Sequence, residues 1–138
     1  MFDFQTEDYD SLDNSQLKKL ADYWMRQYLL ATTENSGGYY LCPLKNKRYR
    51  AEEMHVSHFV DRGALATRYS LDNCHLISKQ SNSYDAQIPK EGYKSLHHYE
   101  YELFLGEKKV KELIELSKEF RIFAKEDYIE KIKFFRNV

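Results

Sequence analysis

Cysteine is scarce in this chain. There are two, Cys42 and Cys74, far apart in sequence, and two such thiols offer no disulfide framework, so a reducing, cytoplasmic setting is the expectation. No apolar run approaches the roughly 20 residues that span a bilayer, and no membrane association is expected. The opening residues, MFDFQTEDYD, are acidic rather than basic, which is not the pattern of a secretory leader. Nor is there a surplus of positive charge: 21 Lys and Arg stand against 22 Asp and Glu, a net of −1. The distribution is uneven, however. Residues 1–14 carry Asp3, Glu7, Asp8, Asp10 and Asp13 and no base, which leaves 21 bases against 17 acids (22 − 5) from Ser15 onward. Lys45, Lys47, Arg48 and Arg50 cluster, and Arg62 and Arg68 follow. Cations so grouped suit phosphate contacts, although any one of them could equally be part of a solvated hairpin face.

What the chain does have is enough apolar material for one domain. It is 138 residues long, 42% hydrophobic and 15% aromatic, with 12 Tyr and 8 Phe. The reading is an acidic arm over 1–14 and a single domain over 15–138, mostly helical and of the α+β class. Asn14 or Ser15 caps a helix from Gln16 to about Thr32, with Leu17, Leu20, Ala21, Trp24, Tyr28 and Ala31 near helical spacing. Glu34 to Gly38 ends it as a loop. Tyr39–Leu41 and Lys47–Arg50 form a hairpin around Pro43 to Asn46. Ser95–Leu105 is a helix stopped by Gly106, and Glu107–Phe120 and Lys125–Phe135 are two more amphipathic helices. His97 and His98 lie on the Tyr-rich helix and have little claim to chemistry.

The informative stretch is His55 to Asn82, HVSHFVDRGALATRYSLDNCHLISKQSN. Met54–Val60 has a β-type composition and ends at the turn signal Arg62-Gly63. His58 near the end of that strand projects over a groove. An imidazole of ordinary pKa, about 6.5, is available as a general base at neutral pH. Leu71–Ile77 is the return strand. Asn73, in the loop between the strands, has amide donors and an acceptor with which to tie the two arms together. Ser81–Ala86 then starts a helix, with Ser78 or Ser81 as N-cap, and Asn82 falls in its first turn. A carbonyl oxygen there can ligate Mg²⁺ alongside several waters.

His58, Asn73 and Asn82, with spacings of 15 (73 − 58) and 9 (82 − 73), resemble the HNH nuclease motif, a β-hairpin and helix around one divalent cation. The chain resembles in particular the phage NinG (Rap) recombination nucleases. The resemblance runs through Ser57-His58-Phe59, Arg62-Gly63, Thr67-Arg68-Tyr69, Asn73-Cys74-His75 and Asn82, with the leading helix at Ala21-Asp22-Tyr23-Trp24 and Tyr28-Leu29-Leu30. Trailing helices are matched at Tyr99, Leu103, Gly106 and Val110–Leu116. It implies a ββα-metal core over 39–88 between an N-terminal helix and C-terminal helices. It also implies an endonuclease acting on DNA, branched DNA in phage recombination or repair, in the cytoplasm of the host of a phage or prophage. His58 would be the general base, Asn73 the structural asparagine and Asn82 a metal ligand for Mg²⁺ or Mn²⁺. Arg48, Arg50, Arg62 and Arg68 would meet DNA, with Arg62 or Arg68 as phosphate clamp. A symmetric junction would favour a homodimer.

The chain departs from that pattern in two places. Many HNH proteins have Asp before the base histidine; here it is Ser57, a poor ligand. The cation would then be held by Asn82 with help from His55, His75 or Asp85, or by Asn82 and waters alone. Many also brace the motif with two Cys-x-x-Cys pairs on zinc. Here Cys42 is followed by Lys45, and the second pair falls on Ser78 and Ser81. One thiolate of four cannot make a tetrahedral structural site, so no structural zinc is expected and packing should replace it. The rival readings are a silent DNA-binding module that kept the motif's shape, and a phage interaction protein using the acidic arm.

Overall fold

The computed structural model describes residues 2–60, 63–79 and 96–137. Among the described residues, five α-helices and two small antiparallel sheets make a mixed, predominantly helical α+β fold. No described helix is long and apolar enough to cross a membrane. The chain divides into two compact units, Met1–Thr32 with Ile122–Val138, and Thr33–Arg121. The acidic residues 1–14 expected as an arm fall in the first of these units, with α-helical residues from both ends of the sequence.

The first unit is built on α1 (Asn14–Thr32) and α5 (Lys125–Arg136). Helix α1 starts two residues upstream of the expected Gln16. Asp13 is the cap: its Oδ1 accepts from the Gln16 N–H at 2.8 Å, and the Gln16 Oε1 accepts from the Asp13 N–H at 3.0 Å. This is a reciprocal capping box. Leu17, Leu20, Ala21, Met25 and Leu29 are buried and face α5, which contributes Tyr128, Ile132 and Phe135. The buried line thus continues through Met25 and Leu29, while Trp24 sits at its edge. There the indole N–H donates to the Phe4 carbonyl at 3.1 Å. Residues 2–12 pack here too. Arg136 donates to the carbonyls of Thr6 (2.8 Å) and Gln5 (2.7 Å) and to the Tyr9 hydroxyl, and its guanidinium lies 4.7 Å from the Trp24 ring centre. Lys125 donates to the Asp10 carbonyl. The acidic segment is therefore a packed part of this unit.

The second unit opens with a three-stranded meander: β1 (Asn35–Ser36), β2 (Tyr39–Cys42) and β3 (Lys47–Arg50). The expected loop over 34–38 is instead a hairpin. Gly37 and Gly38 both have positive φ, 59° and 85°, which is what a two-residue turn matched to strand twist requires. The second sheet pairs β4 (Met54–His58) with β5 (Cys74–Ser78), in the register Ser57 opposite His75 and His58 opposite Cys74. Both strands are shorter than expected. At the N-terminal one, the Val60 N–H is taken by the Asn73 side chain rather than by a strand neighbour. At the other, Asn73 and Cys74 both donate back to the Ser70 carbonyl, so residues 71–73 turn and the strand begins at Cys74. Between them lies a single helical turn, α2 (Leu65–Arg68), which sequence periodicity does not reveal. Then come α3 (Leu96–Leu105) and α4 (Glu107–Ser117), separated by Gly106 at φ 91°. The expected helix over 81–86 lies outside the described residues.

Candidate functional site

In an antiparallel pair, opposed residues share a face and successive residues alternate. Met54, Val56, His58, Cys74, Leu76 and Ser78 thus occupy one face of the β4–β5 hairpin. His55, Ser57, His75 and Ile77 occupy the other. Helix α3 covers the second face: the His75 ring lies 5.8 Å from Tyr101 and 5.0 Å from Phe104, and Phe59 lies 5.1 Å from Tyr101 and 5.2 Å from His98. His58 projects away from that aromatic layer.

His58 Nε2 sits 3.0 Å from the Arg68 carbonyl oxygen. A carbonyl only accepts, so Nε2 carries the proton and the lone pair of the neutral ring is on Nδ1. The fully buried Asn73 closes the loop beside it. Its Oδ1 accepts from the Val60 N–H at 2.8 Å, and its Nδ2 donates to the Val60 and Thr67 carbonyls, each at 3.1 Å. One amide side chain thereby ties the end of β4, the end of α2 and the start of β5. Cys74 Sγ donates to the same Arg68 oxygen at 3.1 Å; sequence reasoning passed over this thiol.

The other expected site residues are arranged differently. Arg68 is buried, at 6% exposure, with Nε donating to the Tyr69 hydroxyl at 3.2 Å and the guanidinium over the Tyr69 ring. Arg68, expected as a phosphate clamp, is thus packed within the loop. His75 and His55 lie on the hairpin face opposite His58. The Nδ1 of His75 is buried with no hydrogen-bond partner among the described residues. Desolvation drives its pKa down to about 4, against a smaller upward pull from Asp72. Ser57, at the position where many HNH proteins carry Asp, is buried with its hydroxyl facing the Tyr101 phenol. Burial pushes that phenol's pKa up, and Ser57 opposes the shift. Position 57 therefore looks into the aromatic layer. Asn82, Asp85 and Arg62 lie outside the described residues. Among the described residues, no three His, Cys, Asp or Glu side chains converge as a metal site.

Arg48 and Arg50 share one face of β3, and both are exposed. Each already has carboxylate company: Arg48 pairs with Glu34 at 3.0 Å, and Arg50 with Glu53 at 3.2 Å and Glu52 at 3.5 Å. Glu53, then Glu52, hold the Arg50 guanidinium still more firmly charged. Exposed pairs of this kind are weak and can exchange a carboxylate for a phosphate. His98 is buried and pairs with Glu102 at 3.0 Å, a helix-internal contact.

Cys42 is fully buried at the end of β2, and its Sγ accepts from the Ser78 N–H at 3.5 Å. Two of the four positions where related motifs carry zinc-binding thiols are thus in contact. Lys45, a third, pairs with Glu100 of α3 at 3.0 Å. The chain matches no family model, no curated protein and no solved structure.

Proposed function

We propose that this chain is a DNA endonuclease of the HNH type, with His58 as general base. The observation that carries the reading is the Arg68 carbonyl on Nε2 of His58, at the end of β4 and beside the Asn73 tie. This bond selects the tautomer in which Nδ1 can take a proton from an attacking water, and it holds the ring at a fixed angle to the hairpin. The hydroxide so formed attacks phosphorus, and the 3′ oxygen leaves. Arg48 and Arg50 supply backbone contacts, and Arg62 belongs to the same expectation. The contact of Cys42 with Ser78 supports a ββα-metal core whose brace is made by packing. Resemblance to the NinG nucleases adds branched DNA, phage recombination and a two-fold dimer to the reading.

A divalent cation, Mg²⁺ or Mn²⁺, belongs to the proposal through Asn82, and its requirement is tested apart from the base. Purified protein should nick supercoiled plasmid when either ion is added and stop when it is chelated. His58→Ala should lower the rate by about 10²–10⁴ while leaving the folded state intact. Retention of more than about a tenth of the activity removes His58 as base. The burial of Ser57 against Tyr101 favours one rival, a DNA-binding module without catalysis. Junction binding without nicking under any metal would establish that rival.

A further inference from the structure

Helix α2 is a single turn, and the carbonyls at its C-terminal end cannot be satisfied within it. Two consecutive residues of the loop-to-strand junction reach two consecutive carbonyls of that turn. Asn73 Nδ2 donates to the Thr67 oxygen at 3.1 Å, and Cys74 Sγ donates to the Arg68 oxygen at 3.1 Å. The second of these oxygens is the one that receives His58 Nε2, at 3.0 Å. His58 and Cys74 are also directly opposed across the β4–β5 pair, so both donors approach one oxygen from the same side of the hairpin. Cys74 is fully buried and not in a disulfide. A carbonyl oxygen has two lone pairs, and the two donors fill them.

We propose that Cys74 is a positioning residue for His58: its thiol holds the Arg68 carbonyl where that oxygen takes the imidazole Nε2–H. The catalytic meaning of this arrangement rests on the nuclease reading, but the arrangement itself does not. Three variants separate the possibilities. Cys74→Val keeps an apolar side chain of similar size and removes the donor. Cys74→Ser keeps a donor. His58→Ala identifies the ring's signals.

Imidazole ¹⁵N shifts of the full chain report which nitrogen carries the proton. In the wild type and Cys74→Ser, His58 should be protonated on Nε2. In Cys74→Val, the two ring nitrogens should move toward each other as the second tautomer becomes populated. Plasmid nicking by Cys74→Val should fall about tenfold or more in kcat with KM unchanged, as removal of an orienting partner does elsewhere, and Cys74→Ser should restore it. A wild-type tautomer signature in folded Cys74→Val overturns the proposal. Should the valine variant not fold, the infrared S–H stretch, isolated as wild type minus Cys74→Ser, decides. A band lowered by hydrogen bonding supports the positioning role, and a free-thiol band overturns it. If the ¹⁵N result holds while even the wild type fails to cleave DNA, the nuclease reading has failed and the positioning role stands.

Discussion

Residues 73 and 75 show how differently one strand end can treat two polar side chains. Asn73 is fully buried, and its amide makes three hydrogen bonds. His75, two residues on, has a buried Nδ1 without a hydrogen-bond partner among the described residues. The first stabilises the fold at every pH at which it is intact. The second makes it sensitive to acid. The folded state keeps His75 neutral down to about pH 4, whereas an unfolded imidazole protonates near 6.5. Above 6.5 neither state binds the proton. Between 6.5 and 4 the unfolded chain binds it and the folded chain does not, so stability falls as pH falls, and below 4 this slope ends. The full effect is roughly 3 kcal/mol over that window. Urea unfolding of the wild type and His75→Phe between pH 7 and pH 4 should show a shallower loss in the variant. Equal slopes would mean that His75 takes up its proton while folded. At this scale the tie made by Asn73 was readable from its donor and acceptor inventory and its place between two strands. The burial of Arg68 was not, because it depends on Tyr69 and on a helical turn too short to leave a periodic signal.

Among the elements, the meander shows most clearly where local chemistry sets the backbone. The hairpin over 39–50 was legible as two β-type runs around Pro43 to Asn46. The two-residue strand Asn35–Ser36 was not, since two residues carry no alternation; only Gly37-Gly38 marks it. Nothing lies within 4 Å of the place a Cβ would occupy on Gly38, yet its φ is 85°. Gly38→Ala should therefore cost about 1–2 kcal/mol through backbone strain alone, measured by thermal unfolding. No loss would mean that the turn shifts to another type. Helix α1 makes a similar point. Its stripe was readable at Leu17, Leu20 and Ala21, but a helix propensity argument does not distinguish Asp13 from Asn14 as cap. The Gln16 side chain decides, by returning a bond to Asp13.

On the scale of the whole molecule, the acidic segment was read as an arm because charge composition says nothing about what lies beneath. Arg136, from the far end of the chain, donates to Gln5, Thr6 and Tyr9 and stacks over Trp24. Trp24 is the single tryptophan, so its fluorescence reports on this corner alone. Arg136→Ala should shift that emission to the red and lower stability by about 1–3 kcal/mol. Unchanged emission would show that the Trp24 bond to Phe4 holds the segment without the arginine.

The pairing of α1 with α5 also orders events during synthesis. The 92 residues from Thr33 to Ala124 (124 − 32) separate the two helices. At about 5–20 residues per second, a ribosome needs roughly 5–20 seconds to make that interval. A lone amphipathic helix of α1's length is marginal in water, so for those seconds its apolar stripe has no native cover. The hairpin with His58 can close in the meantime, since every residue it needs up to Ser78 has already been made. Helix α1 is thus made well before it can be secured, and a chaperone that shields apolar helices would find its target in Leu17 to Leu29.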